Sequence, residues 1–170
     1  MDERTKMTKV IPINKSSHKN TKIIAVSNYQ YAASDNFCPI VGVELSKVLK
    51  QSPIAFVKTK DESFQIVAMQ GLLKNRNSFI DEQGNWTATY IPAIYRLKPF
   101  LLGEREGSDE KIICLEEESP LILQEPDAKG NALFNSENEP TDYFNKVIEF
   151  LKGYELSKRA TLKALTTLKH

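Results

Sequence analysis

Few residues in this sequence are of a type that does covalent or proton-transfer chemistry. His18 is the one internal histidine, because His170 ends the chain, and the thiols are Cys38 and Cys114. A thiol beside an imidazole would be a nucleophile with its base, as in small hydrolases or protein-modifying enzymes. The sequence holds no CxxC and no Cys/His cluster, so such a pair depends on tertiary contact. Two cysteines without a disulfide pattern read first as reduced, buried thiols. Glu116 and Glu117, with Glu118 after them, are the remaining titratable run. One of them turned into an apolar pocket would be a raised-pKa acid, whereas consecutive carboxylates at a strand end are ordinarily solvated. No phosphate-cradling glycine loop, metal-ligand spacing or Ser-His-Asp order is present, and no metal or other cofactor is expected.

The stretch NWTATYIPAIYRLKPF, residues 85–100, offers a different chemistry: it packs the sole Trp, two Tyr, two Pro and one Arg among aliphatic residues. Trp and Tyr bring large apolar areas with a polar atom at one end. Trp86, Tyr90, Tyr95 and Arg96 are the types enriched where one protein anchors another, and they are the candidate partner-binding residues. The competing reading is a satellite core in which Trp86, Tyr90, Ile94 and Phe100 cover one end of a sheet.

The elements that position these residues follow from local pattern. Residues 1–9 are charged and without apolar period, and read as a flexible tail ahead of a single domain, residues 10–170. Residues 10–13 and 22–26 are short β-type runs across the turn-rich NKSSHKN. Val41, Leu45, Val48 and Leu49 share a helical face, which predicts a helix of about three turns ending before Pro53. Residues 54–57 and 64–69 predict an antiparallel hairpin, and residues 100–102 and 111–115 a second one across GEREGSDE. Between them, residues 79–80 form a short run closed by a turn at Gly84, and Pro92 opens a short helix that must stop near Pro99. From Pro140, set at the first turn, Phe144, Val147, Ile148, Leu151 and Tyr154 trace a helical stripe, with a bend or split at Gly153. The fold class is therefore α+β, a mainly antiparallel sheet of hairpins with one helix before it and a long C-terminal helix packed on it.

Composition narrows the function classes. Hydrophobic residues at 41% and charged residues at 26% are ordinary globular values, and no apolar run approaches the ~20 residues of a membrane span. No membrane insertion is expected. The first residues hold no apolar signal region, so a cytoplasmic location is expected. The net charge of +1 conceals an acidic middle: residues 104–139 hold 3 Lys/Arg and 11 Asp/Glu, net −8, against +9 elsewhere. The basic residues are not interleaved with aromatics, which speaks against nucleic acid as a partner.

The block GLLKNRNSFIDEQGNWTATYIPAIYRLKPF resembles the signature of the SapC-like family, matched at Gly71, Leu72, Asn77, Phe79, Asp81, Gly84, Trp86, Tyr90, Pro92, Ala93, Arg96, Pro99 and Phe100. Upstream, IPINKSSHKN and PIVGVELSKVLKQSPIAFVK are similar to the family's opening, with His18, Glu44, Pro53 and Phe56 in place. Where the family commonly has Asp-Glu after its Cys, this chain has Leu115, Glu116 and Glu117. The resemblance implies an association with surface-layer or outer-membrane protein export and carries over no catalytic residue. His18, Glu44, Asp81, Glu116 and Glu117 are secondary site candidates. The leading expectation is a non-catalytic accessory protein that binds a protein or peptide; the alternative is a small enzyme using His18 with Cys or Glu residues.

Overall fold

The computed structural model describes residues 9–105, 107, 110–125 and 129–167. Apart from Lys9, the expected tail lies outside the described residues, as does His170. In chain order the strands are β1 Val10–Pro12, β2 Lys22–Ile23, β3 Phe37–Pro39, β4 Ile54–Lys58, β5 Phe64–Met69, β6 Phe100–Glu104, β7 Lys111–Glu116, β8 Ile122–Leu123 and β9 Asn131–Ala132. The helices are α1 Leu45–Val48, α2 Ala93–Arg96 and α3 Asp142–Thr166. The class is α+β, as expected, and the described strands form three antiparallel sheets of three strands: β1-β7-β6, β8-β2-β9 and β3-β5-β4. The chain forms two compact units, one with the described residues up to Ala25 and Leu97–Leu151, the other with Val26–Arg96 and the chain from Lys152 on.

In the first unit the hairpin β6-β7 pairs Phe100 with Leu115 and Glu104 with Lys111, and β1 adds to β7 with Ile11 opposite Leu115. Pro12 can sit in β1 because that strand is an edge, where a missing N–H breaks no ladder. Leu115 and Leu133 are fully enclosed, and Phe144 of α3 stacks on Phe100 at 6.2 Å and meets Phe134 edge-on at 5.6 Å. The helix start is set by Thr141, whose Oγ1 accepts the Phe144 amide at 3.2 Å while its carbonyl accepts from Asn145. Thr141 is the cap and Asp142 supplies the first-turn negative charge; Pro140 stands before the cap, bridged to Phe134, and not inside the first turn.

In the second unit the hairpin β4-β5 pairs Ile54 with Ala68 and Phe56 with Ile66, and β3 lies along the other side of β5 with Cys38 opposite Ala68. Cys38, Ile66 and Ala68 join Tyr29, Ala32, Ile40, Val48, Tyr95 and Leu165 of α3 in one apolar core. The expected three-turn helix is cut to a 3-10 turn, Gly42–Glu44, running into the single turn of α1. Glu44, the last residue of the 3-10 turn, is a buried acceptor, and Leu49 stands 58% exposed past the end. The start of the 3-10 turn is tied to α3, where Thr161 Oγ1 accepts the Gly42 amide at 2.8 Å and donates to Ser157 O.

The helix α3 runs through Gly153 without a break, and nothing lies within 4 Å of a Cβ built there. Gly153→Ala therefore adds helix propensity without a clash. It should raise stability by about 1 kcal/mol in urea unfolding with the m-value unchanged.

Candidate functional site

The aromatic stretch is built around Tyr90. Its backbone N–H donates to Gln51 Oε1 at 2.8 Å, and its carbonyl accepts from Gln51 Nε2 at 2.7 Å and from the Trp86 indole at 3.1 Å. A glutamine side chain thus does for Tyr90 what a neighbouring strand would do. The Tyr90 hydroxyl donates to Glu44 Oε1 at 3.0 Å, and the same oxygen accepts the Ala93 amide at 2.7 Å at the start of α2. Glu44 Oε2 accepts the Val41 amide at 3.0 Å. Glu44 is only 2% exposed, and these three donors satisfy a carboxyl that would otherwise be costly to bury.

Arg96 closes the cluster from outside. Its Nε donates to Ile91 O at 2.9 Å and its Nη2 to the Tyr90 hydroxyl at 3.1 Å, while the guanidinium and Lys47 each lie 5.3 Å from the Tyr90 ring centroid. Burial, with the Glu44 charge beside it, pushes the Tyr90 phenol up, so it stays a donor.

Tyr95 points the other way, into the core at 5% exposure. Trp86 packs against it and against Tyr29 and Phe79 at centroid distances of 5.6 to 5.8 Å. The Tyr95 hydroxyl meets Asp35 Oδ2 at 2.9 Å and Gln70 Oε1 at 2.8 Å; burial above all, then the charges around it, holds this phenol well above its usual range. Gln70 Oε1 also accepts from Asn77 Nδ2 at 3.0 Å. Trp86, Tyr90 and Ile94 do pack against the core as the satellite-core reading expects, whereas Phe100 belongs to the first unit.

Asp81 holds the turn that precedes Trp86. It accepts from the amides of Gln83 and Asn85 at 3.0 and 2.8 Å and from Asn85 Nδ2 at 2.9 Å, bonds that lower its pKa. The turn needs Gly84, whose φ is +83° and whose Cβ would fall 2.5 Å from the Asn28 side chain.

The Gln70–Asn77 pair leads to a further feature, the loop of residues 71–77. Asn36 pins it, with Nδ2 donating to the carbonyls of Gly71, Leu73 and Arg76 and Oδ1 accepting the Asn75 amide at 2.8 Å. A Cβ on Gly71 would stand 1.8 Å from Arg76 O, so only glycine fits there. The loop carries Leu72 at 90% and Leu73 at 63% exposure, with Lys74 and Arg76 exposed beside them. An apolar pair inside a polar, turn-type stretch was a signal available in GLLKNRN; nothing in the sequence marked Asn36 or Gln70.

The other candidates lie in the first unit. His18 is buried and, with Glu117, borders a cavity lined in part by residues of β1 and β7. Glu116 is paired with Lys98, and Glu117 with Lys9 at 2.6 Å. Both cysteines are free and buried, as expected. Burial pushes the Cys38 thiol up to about 12 and raises that of Cys114, so neither is a thiolate near neutral pH. Among the described residues no group of three or more His, Cys, Asp or Glu could hold a metal ion, and no helix is long and apolar enough to cross a membrane.

Glu44→Ala should cost about 3 kcal/mol or more by leaving three donors without an acceptor, while Arg96→Ala, at the rim, should cost about 1 kcal/mol in the same denaturant series. Ellman's reagent at pH 8 should label neither thiol in the native protein and both after unfolding. The Cys38 pKa is raised from 9.0 in the open chain to about 12 in the fold, so its stabilisation is complete below pH 9 and is lost as pH rises to 12. Cys38→Ala should flatten that part of the alkaline stability profile.

No curated protein and no solved structure matches the chain at a significant level. A family model does match, over residues 13–170, and takes in both the Glu44–Tyr90–Arg96 cluster and the pinned loop. On that match, which spans nearly the whole sequence, the chain belongs to the SapC family.

Proposed function

We propose that this chain is a non-catalytic accessory module of the cytosol that binds a protein partner, and that the loop of residues 71–77 is its contact. The observation that supports this reading is the exposure of Leu72 and Leu73 on a backbone held rigid by Asn36. Burying a leucine on binding is worth about 1.5–3 kcal/mol, and a loop already fixed loses little further entropy when it docks. Trp86, Tyr90, Tyr95 and Arg96 serve the contact from behind: the Tyr95–Gln70–Asn77 bonds fix the base of the loop. Lys74 and Arg76 favour a partner whose apolar groove is edged by carboxylates. Two cations and two leucines are too few for firm lipid binding, which takes clusters of about 4–8 basic residues or a second anchor. Membership of the SapC family directs the search for the partner to surface-layer or outer-membrane protein export.

The test compares wild type, Leu72→Ser/Leu73→Ser and Lys74→Glu/Arg76→Glu, capturing partners from the native lysate and then measuring the Kd of the purified pair. Both double variants should keep the wild-type Tm within about 2 °C, because the loop's exposed side chains contribute little to folding. The first should abolish capture, and the second should weaken it and reduce its salt dependence. Undiminished capture by the serine variant would overturn the loop as the contact. Leucine-dependent sedimentation with anionic vesicles would assign the loop to a lipid surface instead.

A further inference from the structure

We propose that the cavity beside His18 in the first unit is a binding site for a small molecule with an apolar body and a carbonyl or carboxylate head. The cavity measures about 420 Å³, within the range of about 300–1,000 Å³ common for ligand sites. Its apolar wall comes from Ile11 and Pro12 of β1, Leu115 of β7 and Ile122 of β8.

Hydrogen-bond donors meet this wall. His18 is 3% exposed, and its Nδ1 lies 3.2 Å from both the amide nitrogen and the carbonyl oxygen of Asn14. That carbonyl already accepts the His18 amide at 3.1 Å, whereas the Asn14 amide has the imidazole as its partner. The arrangement that leaves no amide unmatched makes Nδ1 the acceptor and puts the proton on Nε2. Among the described residues Nε2 bonds no acceptor, yet it is not a fully enclosed orphan atom, and the open space beside the ring is the cavity that His18 lines. A nearly buried donor without an acceptor is a cost that a ligand oxygen relieves.

Gln124 adds to the donor set. Its Oε1 accepts from the buried Thr21 hydroxyl at 3.1 Å, which leaves the amide NH2 as the end available to a ligand. Ser17 lines the same space. The one carboxylate on the lining, Glu117, is engaged by Lys9 at 2.6 Å, which offsets its repulsion of an anionic head. Donors over an apolar wall select an acceptor head and reject an ammonium. The loop of residues 71–77 and its partner play no part in this inference.

The full chain, labelled with ¹⁵N and ¹³C, is titrated with octanoate, octanamide and octylamine at constant pH while the His18 ring resonances are followed. Octanoate or octanamide, or both, should shift the Nε2 signal saturably together with the methyls of Ile11 and Ile122; octylamine should not. His18→Leu should weaken binding roughly tenfold, the loss expected for a hydrogen bond. Gln124→Glu, which keeps an oxygen for the Thr21 hydroxyl and removes the amide NH2, should weaken it as well. An absence of saturable shifts at millimolar octanoate and octanamide overturns the proposal, and so does octylamine binding equally well. Should His18→Leu fail to fold, the wild-type Nε2 signal and the Gln124 variant still decide the matter.

Discussion

The buried carboxyl of Glu44 is the constraint on which the second unit depends. Its two oxygens collect the Val41 amide at the start of the 3-10 turn, the Ala93 amide at the start of α2 and the Tyr90 hydroxyl between them. Two stretches far apart in sequence, residues 41–44 and 90–93, are thereby fixed to one point. A buried acceptor of this kind stabilises only while all its donors are in place, because each donor left alone incurs its full desolvation cost. Gln51 repeats the device one step along, matching the Tyr90 backbone with both ends of its amide.

From that point the polar contacts run in two directions. Outward, Tyr90 passes to Arg96 and Lys47, which cover its ring and keep their charges near water. Inward, α2 delivers Tyr95 to Asp35 and Gln70, and Gln70 passes to Asn77 at the base of the loop that exposes Leu72 and Leu73. The aromatic stretch is therefore mostly internal framework, and what it frames is an apolar tip on a rigid support. Two leucines held in water add little to folding.

The first unit solves a different problem. Its strands are short, and β1 and β2 are joined by a turn in which Asn14 and His18 bond each other twice. That closure leaves the imidazole on the lining of a cavity. The thiols take the opposite course, since burial makes both neutral and withdraws them from nucleophilic chemistry. The pairing of a thiol with His18, open from sequence alone, has no support in the protonation state of either cysteine.

The sequence by itself determined whatever depends on local pattern. The two hairpins, the short helix after Pro92, the turn at Gly84 and the long C-terminal helix follow from alternation, proline placement and helical period, which act within a few residues. The family signature in residues 71–100 was equally legible, because it is a linear string. Only the tertiary structure decided the rest. The helix predicted from the face of Val41, Leu45, Val48 and Leu49 opens as a 3-10 turn and stops after Val48, and the role of Glu44 as acceptor for both the Val41 amide and the distant Tyr90 and Ala93 exists only in the folded chain. Whether Trp86 and Tyr95 face a partner or a core depends on Tyr29, Phe79 and Gln70, brought to them by other segments. The exposure of Leu72 and Leu73 depends on Asn36, whose four bonds to the loop span some forty positions and leave no trace in local pattern. Hydrogen-bond partners that are distant in sequence and satisfied only in the folded chain are what a linear reading lacks.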